Sequence, residues 1–111
     1  MPTDAEWQTM VDYLGGWEVA GGKLKDTGTV YWTSPNTAAT NASGFTALPG
    51  GYRGGNGSYS SMSYGTGFWT FTEHEYISDA AWNRNLTYNH PEIIHDYSGK
   101  KSGVSVRCVK D

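Results

Sequence analysis

Trp32-Thr-Ser-Pro-Asn-Thr-Ala-Ala-Thr-Asn-Ala-Ser-Gly-Phe-Thr-Ala-Leu-Pro-Gly-Gly-Tyr-Arg53 alternates apolar anchors with residues that dictate backbone geometry. Pro35, Gly44, Pro49, Gly50 and Gly51 restrict or extend the accessible φ/ψ, while Trp32, Phe45, Leu48 and Tyr52 supply bulk that pins such a path down. The stretch therefore reads as an ordered loop and not as a linker.

On its N-terminal side the chain signals helices. Thr3 and Glu6 form a Thr-x-x-Glu capping box, Trp7, Met10, Val11 and Leu14 fall at i, i+3, i+4 and i+7, and Gly15-Gly16 ends the run. That apolar stripe must dock on a sheet. Trp17 to Lys25 continues as a turn and a short second helix around Ala20 to Leu24, which Gly21 and Gly22 weaken.

On its C-terminal side the pattern changes to strands. Gly54-Gly-Asn-Gly57 reads as a turn, Ser58 to Met62 as a short extended piece, and Gly67 to Thr72 alternates Phe68 and Thr70 against Trp69 and Phe71. Trp82, Arg84, Leu86 and Tyr88 share one strand face, and Asn83, Asn85 and Thr87 the other. Asn89-His-Pro-Glu92 turns the chain into Ile93 to Tyr97, and Gly99 to Gly103 turns it again into a terminal strand, Val104 to Val109. These last three strands are expected to form a C-terminal sheet.

A chain of 111 residues suits one small α+β domain, residues 1–111, with a lean core: 15 glycines, offset by five Trp and eight Tyr. The net charge of −3, without a basic stripe, argues against nucleic acid. No apolar run approaches the roughly 20 residues that span a bilayer, and no signal peptide is expected from this sequence.

Four motifs, in order, carry a resemblance. They are Pro2-Thr3-x-x-Glu6-Trp7, Gly21-Gly22-x-Leu24-Lys25, the Trp32 to Gly51 core, and Gly103-Val-Ser-Val-Arg-Cys-Val109, where Val104 replaces an aromatic. Across nearly its whole length the chain resembles the Fibrobacter succinogenes major paralogous domain, a family of bacterial surface and lipoprotein modules. The resemblance implies an α+β domain similar to C-type-lectin-like and formylglycine-generating-enzyme-like folds, in which helices and short strands carry long functional loops. It also implies a location outside the cell or at the bacterial surface.

Cys108 is the only cysteine. In the family the matching cysteine often pairs with one just before the Pro-Thr helix start, a position this chain does not contain. The expectation is either a domain that lacks an N-terminal strand or a member without the bridge. Alternation with Val104 and Val106 makes the thiol a buried small hydrophobe, and nothing in the sequence around it signals a lowered pKa.

Catalysis is not expected. Formylglycine-generating chemistry implies a cysteine pair, the carboxylates are scattered, and no Ser/His/Asp set stands out. Gly54-Gly-Asn-Gly-Ser58 lacks the Gly-Lys-Ser/Thr ending of a phosphate loop. His90, His95 and Asp96 match no standard metal spacing, so no metal or other cofactor is expected. Asn-x-Ser/Thr at Asn41, Asn56 and Asn85 is best ascribed to chance in a bacterial family. Ser34-Pro-Asn36 is similar to the Glu-Pro-Asn of calcium-dependent lectins, but serine replaces the carboxylate and Trp82-Asn-Arg84 puts a cation where the ion needs an anion. Pro35 and Asn36 are instead expected to shape the loop and bond its backbone.

The expected function is ligand binding, of a protein or glycan, by side chains facing away from the core. Alternation assigns Trp82, Leu86, Tyr88 and Ile93 to structure, leaving Tyr76, Asn83, Asn85, Thr87, His90, Glu92, Ile94, Asp96 and Tyr97 as the ligand-binding set. Ala81-Trp-Asn-Arg-Asn-Leu-Thr-Tyr-Asn89 also resembles the varied segment of diversity-generating retroelement proteins, in which scaffold and open positions alternate. The competing expectation is a structural or adhesin-tip subunit of a surface assembly.

Overall fold

A computed structural model describes residues 1–108. Helix α1 (Asp4–Tyr13) starts at Thr3, whose hydroxyl accepts from the Glu6 amide at 3.1 Å while the Glu6 carboxylate accepts from the Thr3 amide at 2.9 Å. This reciprocal cap satisfies two amides that the helix cannot pair internally. Gly15 and Gly16 follow with φ of 105° and 103°, a region that glycine enters without the Cβ penalty, and the chain reverses into α2 (Trp17–Leu24). The second helix begins three residues earlier than the sequence suggests.

Five strands follow. The two-residue strands β1 (Tyr52–Arg53) and β2 (Tyr59–Ser60) form a hairpin across the Gly54–Gly57 turn. Strands β3 (Gly65–Glu73), β4 (Ala80–Thr87) and β5 (Ile94–Gly99) form an antiparallel sheet in the order β3-β4-β5. The register pairs Trp82 with Tyr97, Arg84 with both Phe68 and His95, and Leu86 with Thr66. The arrangement is α+β, with α1 docked on β3 and β4.

The core lies between that sheet face and the two helices. Trp7, Val11, Leu14, Leu24, Trp32, Phe68, Leu86 and Ile93 are buried in it, as the helical and strand periodicities require. Each such side chain contributes roughly 1.5–3 kcal/mol through removal of apolar surface from water. Phe45 reaches in from the long loop to pack against Trp7 and Phe68, at centroid separations of 5.7 and 5.4 Å.

The loop before β1 is ordered by buried polar anchors. The Trp32 indole donates to the Ala47 carbonyl at 2.9 Å, and the Asn36 amide donates to the carbonyls of Asp26 and Gly28. Leu48, expected to help pin the loop, is instead exposed. Lys25 is fully buried. Its ammonium donates to the carbonyls of Thr37, Thr87 and His90 at 2.9, 2.9 and 3.2 Å and lies 5.5 Å from the centre of the Trp32 ring. One side chain thus ties the loop, the end of β4 and the hairpin turn together.

The C-terminal expectation needs correction. The third strand of the sheet is β3, and residues 104–108 form no strand. Gly103 bridges Arg53, and Ser105 makes a parallel bridge to Phe68, its amide donating to the Gly67 carbonyl and its carbonyl accepting from the Trp69 amide, so the segment touches the outer edge of β3 at single bridges instead of forming a strand beside β5. Cys108 is exposed, not a core thiol, because strand alternation does not continue to it. Val109 lies outside the described residues.

Candidate functional site

As the central strand β4 is paired along both edges, and over most of its length both faces are covered as well. One faces α1. The other lies beneath Tyr52 and Val104, both of which crowd the space above Gly67. Asn83 is accordingly only 1% exposed, and Asn85 and Thr87 are half-buried, which corrects the expectation that these three point into solvent.

Asn83 and Asn85 belong to a polar chain that the Thr87 hydroxyl does not join. Tyr52 Oη donates to Asn85 Oδ1 at 3.0 Å, Asn85 Nδ2 donates to Asn83 Oδ1 at 2.7 Å, and Asn83 Nδ2 donates to Ser98 Oγ at 2.8 Å. Burial, with a smaller contribution from the Asp96 charge, pushes the Tyr52 hydroxyl up to about 12, keeping it a donor to Asn85. Removing the Asn83 amide strands the Asn85 donor in a dry site. Asn83→Ala is therefore expected to cost about 2 kcal/mol, read as a fall of roughly 8 °C in Tm by calorimetry. An unchanged Tm together with lost ligand binding would return Asn83 to the contact surface.

His90 and Glu92 sit in the β4–β5 turn, His90 Nδ1 lying 3.5 Å from Glu92 Oε2. The turn is clamped to α2, since Gly22 N donates to the Pro91 carbonyl and Ile93 N to the Trp17 carbonyl, both at 2.9 Å. Ile94 and Asp96 are exposed on edge strand β5, on the opposite face from Tyr97. Asp96 Oδ1 accepts from the Tyr97 amide at 2.8 Å, which closes an edge donor to an incoming strand.

Tyr76 and Tyr97 do come together, in company the sequence pattern assigned to structure. Where the sheet runs past the first turn of α1, the Trp82 ring is stacked between His74 at 4.7 Å and His95 at 4.3 Å, with Tyr97 edge-on to Trp82 and to His74. Tyr76, 88% exposed, leans on His74, and Tyr97 is 44% exposed. The Trp82 indole donates to Glu75 at 3.0 Å and holds that carboxyl below its ordinary range. His74 was missed, and His95 was weighed only as a metal ligand, because single histidines carry no periodic signal. Their stacking becomes visible only once the register sets Trp82 beside β5 and the β3–β4 turn.

Beside this cluster, Arg84 is buried against α1. Its guanidinium donates to Asp4 Oδ1 and Gln8 Oε1, each at 3.1 Å, while His95 Nε2 lies 3.0 Å from Asp4 Oδ2. Two clefts of about 410 and 480 Å³ open here, and both are lined by Gln8, Arg84 and His95. Among the described residues no three His, Cys, Asp or Glu side chains converge as a metal would require, and no helix is long and apolar enough to cross a membrane.

Comparison with known proteins finds no significant match among curated proteins or among solved structures. The model of the Fibrobacter succinogenes major domain family matches residues 1–110, in keeping with the capped helix, the Gly21–Lys25 segment and the pinned loop described above. The chain therefore belongs to the Fibrobacter succinogenes major domain family.

Proposed function

We propose that this domain is a non-catalytic, surface-displayed binding module, lectin-like in its use of a rigid scaffold, whose ligand rests on the aromatic cluster around Trp82. The observation that carries the reading is the group of five ring side chains, His74, Tyr76, Trp82, His95 and Tyr97, at the end of the sheet that α1 leaves uncovered. Rigid amphipathic rings give contact area at low entropic cost, and Tyr is enriched where proteins bind. A retroelement-varied protein needs open positions, and within 81–89 only Asn89 is exposed, so that use is not part of the proposal.

The test is a glycan array and a pull-down with the isolated domain. Saturable binding is expected, falling about tenfold or more in Tyr76→Ala and Tyr97→Ala with Tm unchanged. Absence of any saturable partner would sink the reading.

A structural role has its own supporting observation. Val30, 86% exposed, joins Tyr31, Leu48, Pro49 and Met62 around a third cleft of about 320 Å³, away from the aromatic cluster. A contiguous apolar patch of this kind marks an interaction surface. Concentration-dependent self-association in analytical ultracentrifugation, abolished by Val30→Asp and Met62→Asp, would favour that reading over ligand binding.

A further inference from the structure

Resting on the binding-module reading, we infer that the ligand is a neutral linear oligosaccharide lying along the trough between α1 and β5. The two clefts adjoin at Gln8, Arg84 and His95, which line both, and each is open to solvent rather than a closed pocket. Because both clefts are open, a chain that continues beyond one of them can lie across the two, whereas a small molecule would be left largely unenclosed.

Its polar groups are already fixed in a row. Gln8 Nε2 donates to Asp12 Oδ1 at 2.8 Å, Arg84 Nη1 donates to Gln8 Oε1, Arg84 Nε donates to Asp4 Oδ1, and Asp4 Oδ2 meets His95. Each carboxylate oxygen has a further lone pair, and the Thr9 hydroxyl lies in the same wall. Sugar hydroxyls both donate and accept, so a pre-ordered row of mixed donors and acceptors matches them at little ordering cost.

Aromatic rings flank the clefts. Trp17, 57% exposed, lines one of them, and His95, which lines both, is stacked on Trp82 with Tyr97 edge-on to that ring. Apolar C–H faces of sugar rings pack on such surfaces while their rims stay hydrogen-bonded.

Charge and edge chemistry exclude the competitors. Asp4, Asp12 and Glu92 outnumber the Arg84 cation along the trough, and that cation is buried and paired with Asp4, which opposes uronate- or phosphate-bearing ligands. An extended peptide adding to β5 would need the Tyr97 amide, which Asp96 occupies.

Isothermal titration and tryptophan fluorescence on the intact domain test this, using neutral gluco-, manno- and xylo-oligosaccharides, with oligogalacturonate as the anionic control and a neutral peptide as the polymer control. At least one neutral series should saturate, with affinity rising with chain length, and oligogalacturonate should bind about tenfold more weakly or not at all. Trp17→Ala and His95→Ala should each weaken binding about tenfold while Trp17→Phe retains most of it. Equal or tighter binding of oligogalacturonate, or no effect of Trp17→Ala, would overturn the inference. A protein ligand that depends on Tyr76 and Tyr97, with no sugar bound, would overturn it and leave the broader reading standing. Failure of every ligand would remove both.

Discussion

Gly21→Ala should lower the melting temperature by roughly 12 °C or more, corresponding to about 3 kcal/mol for a chain of this size. Helix propensity alone predicts the opposite, since alanine is favoured over glycine inside a helix by about 1 kcal/mol. Packing reverses the sign. A methyl at Gly21 would overlap the backbone carbonyl of Glu92 and crowd that of Pro91, and neither can rotate away as a side-chain tip could. The turn is held from three directions: by the Gly22 amide on Pro91, by the Trp17 carbonyl accepting from Ile93, and by Lys25 on His90. Relieving the overlap therefore means lifting the whole β4–β5 turn from α2. Gly22→Ala should act in the same direction, through the Ala38 carbonyl of the long loop. Scanning calorimetry with far-ultraviolet circular dichroism checks both. An unchanged or raised Tm for Gly21→Ala would show that the turn is not seated on α2 as described.

That clamp also shows where the sequence was legible. Helix α1 could be read almost completely, because its cap and its apolar spacing are local, and Thr3, Glu6, Trp7, Val11 and Leu14 behave as their spacing requires. The alternation in β3 was equally plain, with Phe68 and Thr70 inward and Phe71 outward. In α2, Gly21 and Gly22 looked like weak helix formers, whereas close backbone approach by Glu92 and Ala38 is what places glycine there. No local rule contains that information, since the partners lie far along the chain.

The candidate site failed for a related reason. Period-two burial placed Leu86 inside correctly, but it says nothing about what covers the other face. An Asn-rich face looks solvent-exposed by composition, yet here Asn83 and Asn85 are paired with each other and roofed by Tyr52. Polar residues are cheap to bury once every donor has an acceptor, and that completeness depends on strand order. Trp82 was assigned to the core by the same periodicity, although α1 ends before it can cover the ring. Its place in an uncovered aromatic stack follows from the finite length of one helix.

Lys25→Met should cost about 3–5 kcal/mol, close to the whole stability of many small domains. Methionine keeps the length and apolar stem of lysine, so the core loses little volume. What disappears is the ammonium that satisfies the carbonyls of Thr37, Thr87 and His90 together, where the long loop meets the end of β4 and its turn. The wild-type protein supplies a second, independent readout. Burial lowers the Lys25 pKa from 10.5 to about 8, so the folded state releases its proton more readily than the unfolded chain does. The penalty for carrying that charge is complete below about pH 8 and is relieved as pH rises toward 10.5. Stability should climb over this interval by up to about 1.4 kcal/mol per pH unit. Tyr52 acts oppositely: its folded pKa is raised from 10.0 to about 12, so its contribution is intact below pH 10 and is lost above it. The wild-type profile from urea unfolding should therefore rise from about pH 8, reach a maximum near pH 10 and then fall. Lys25→Met, if folded, should lack the rise and keep the fall, while Tyr52→Phe should keep the rise and lose the fall. A flat wild-type profile between pH 8 and pH 10 would show that the three carbonyls offset the cost of burial, leaving Lys25 with an ordinary pKa.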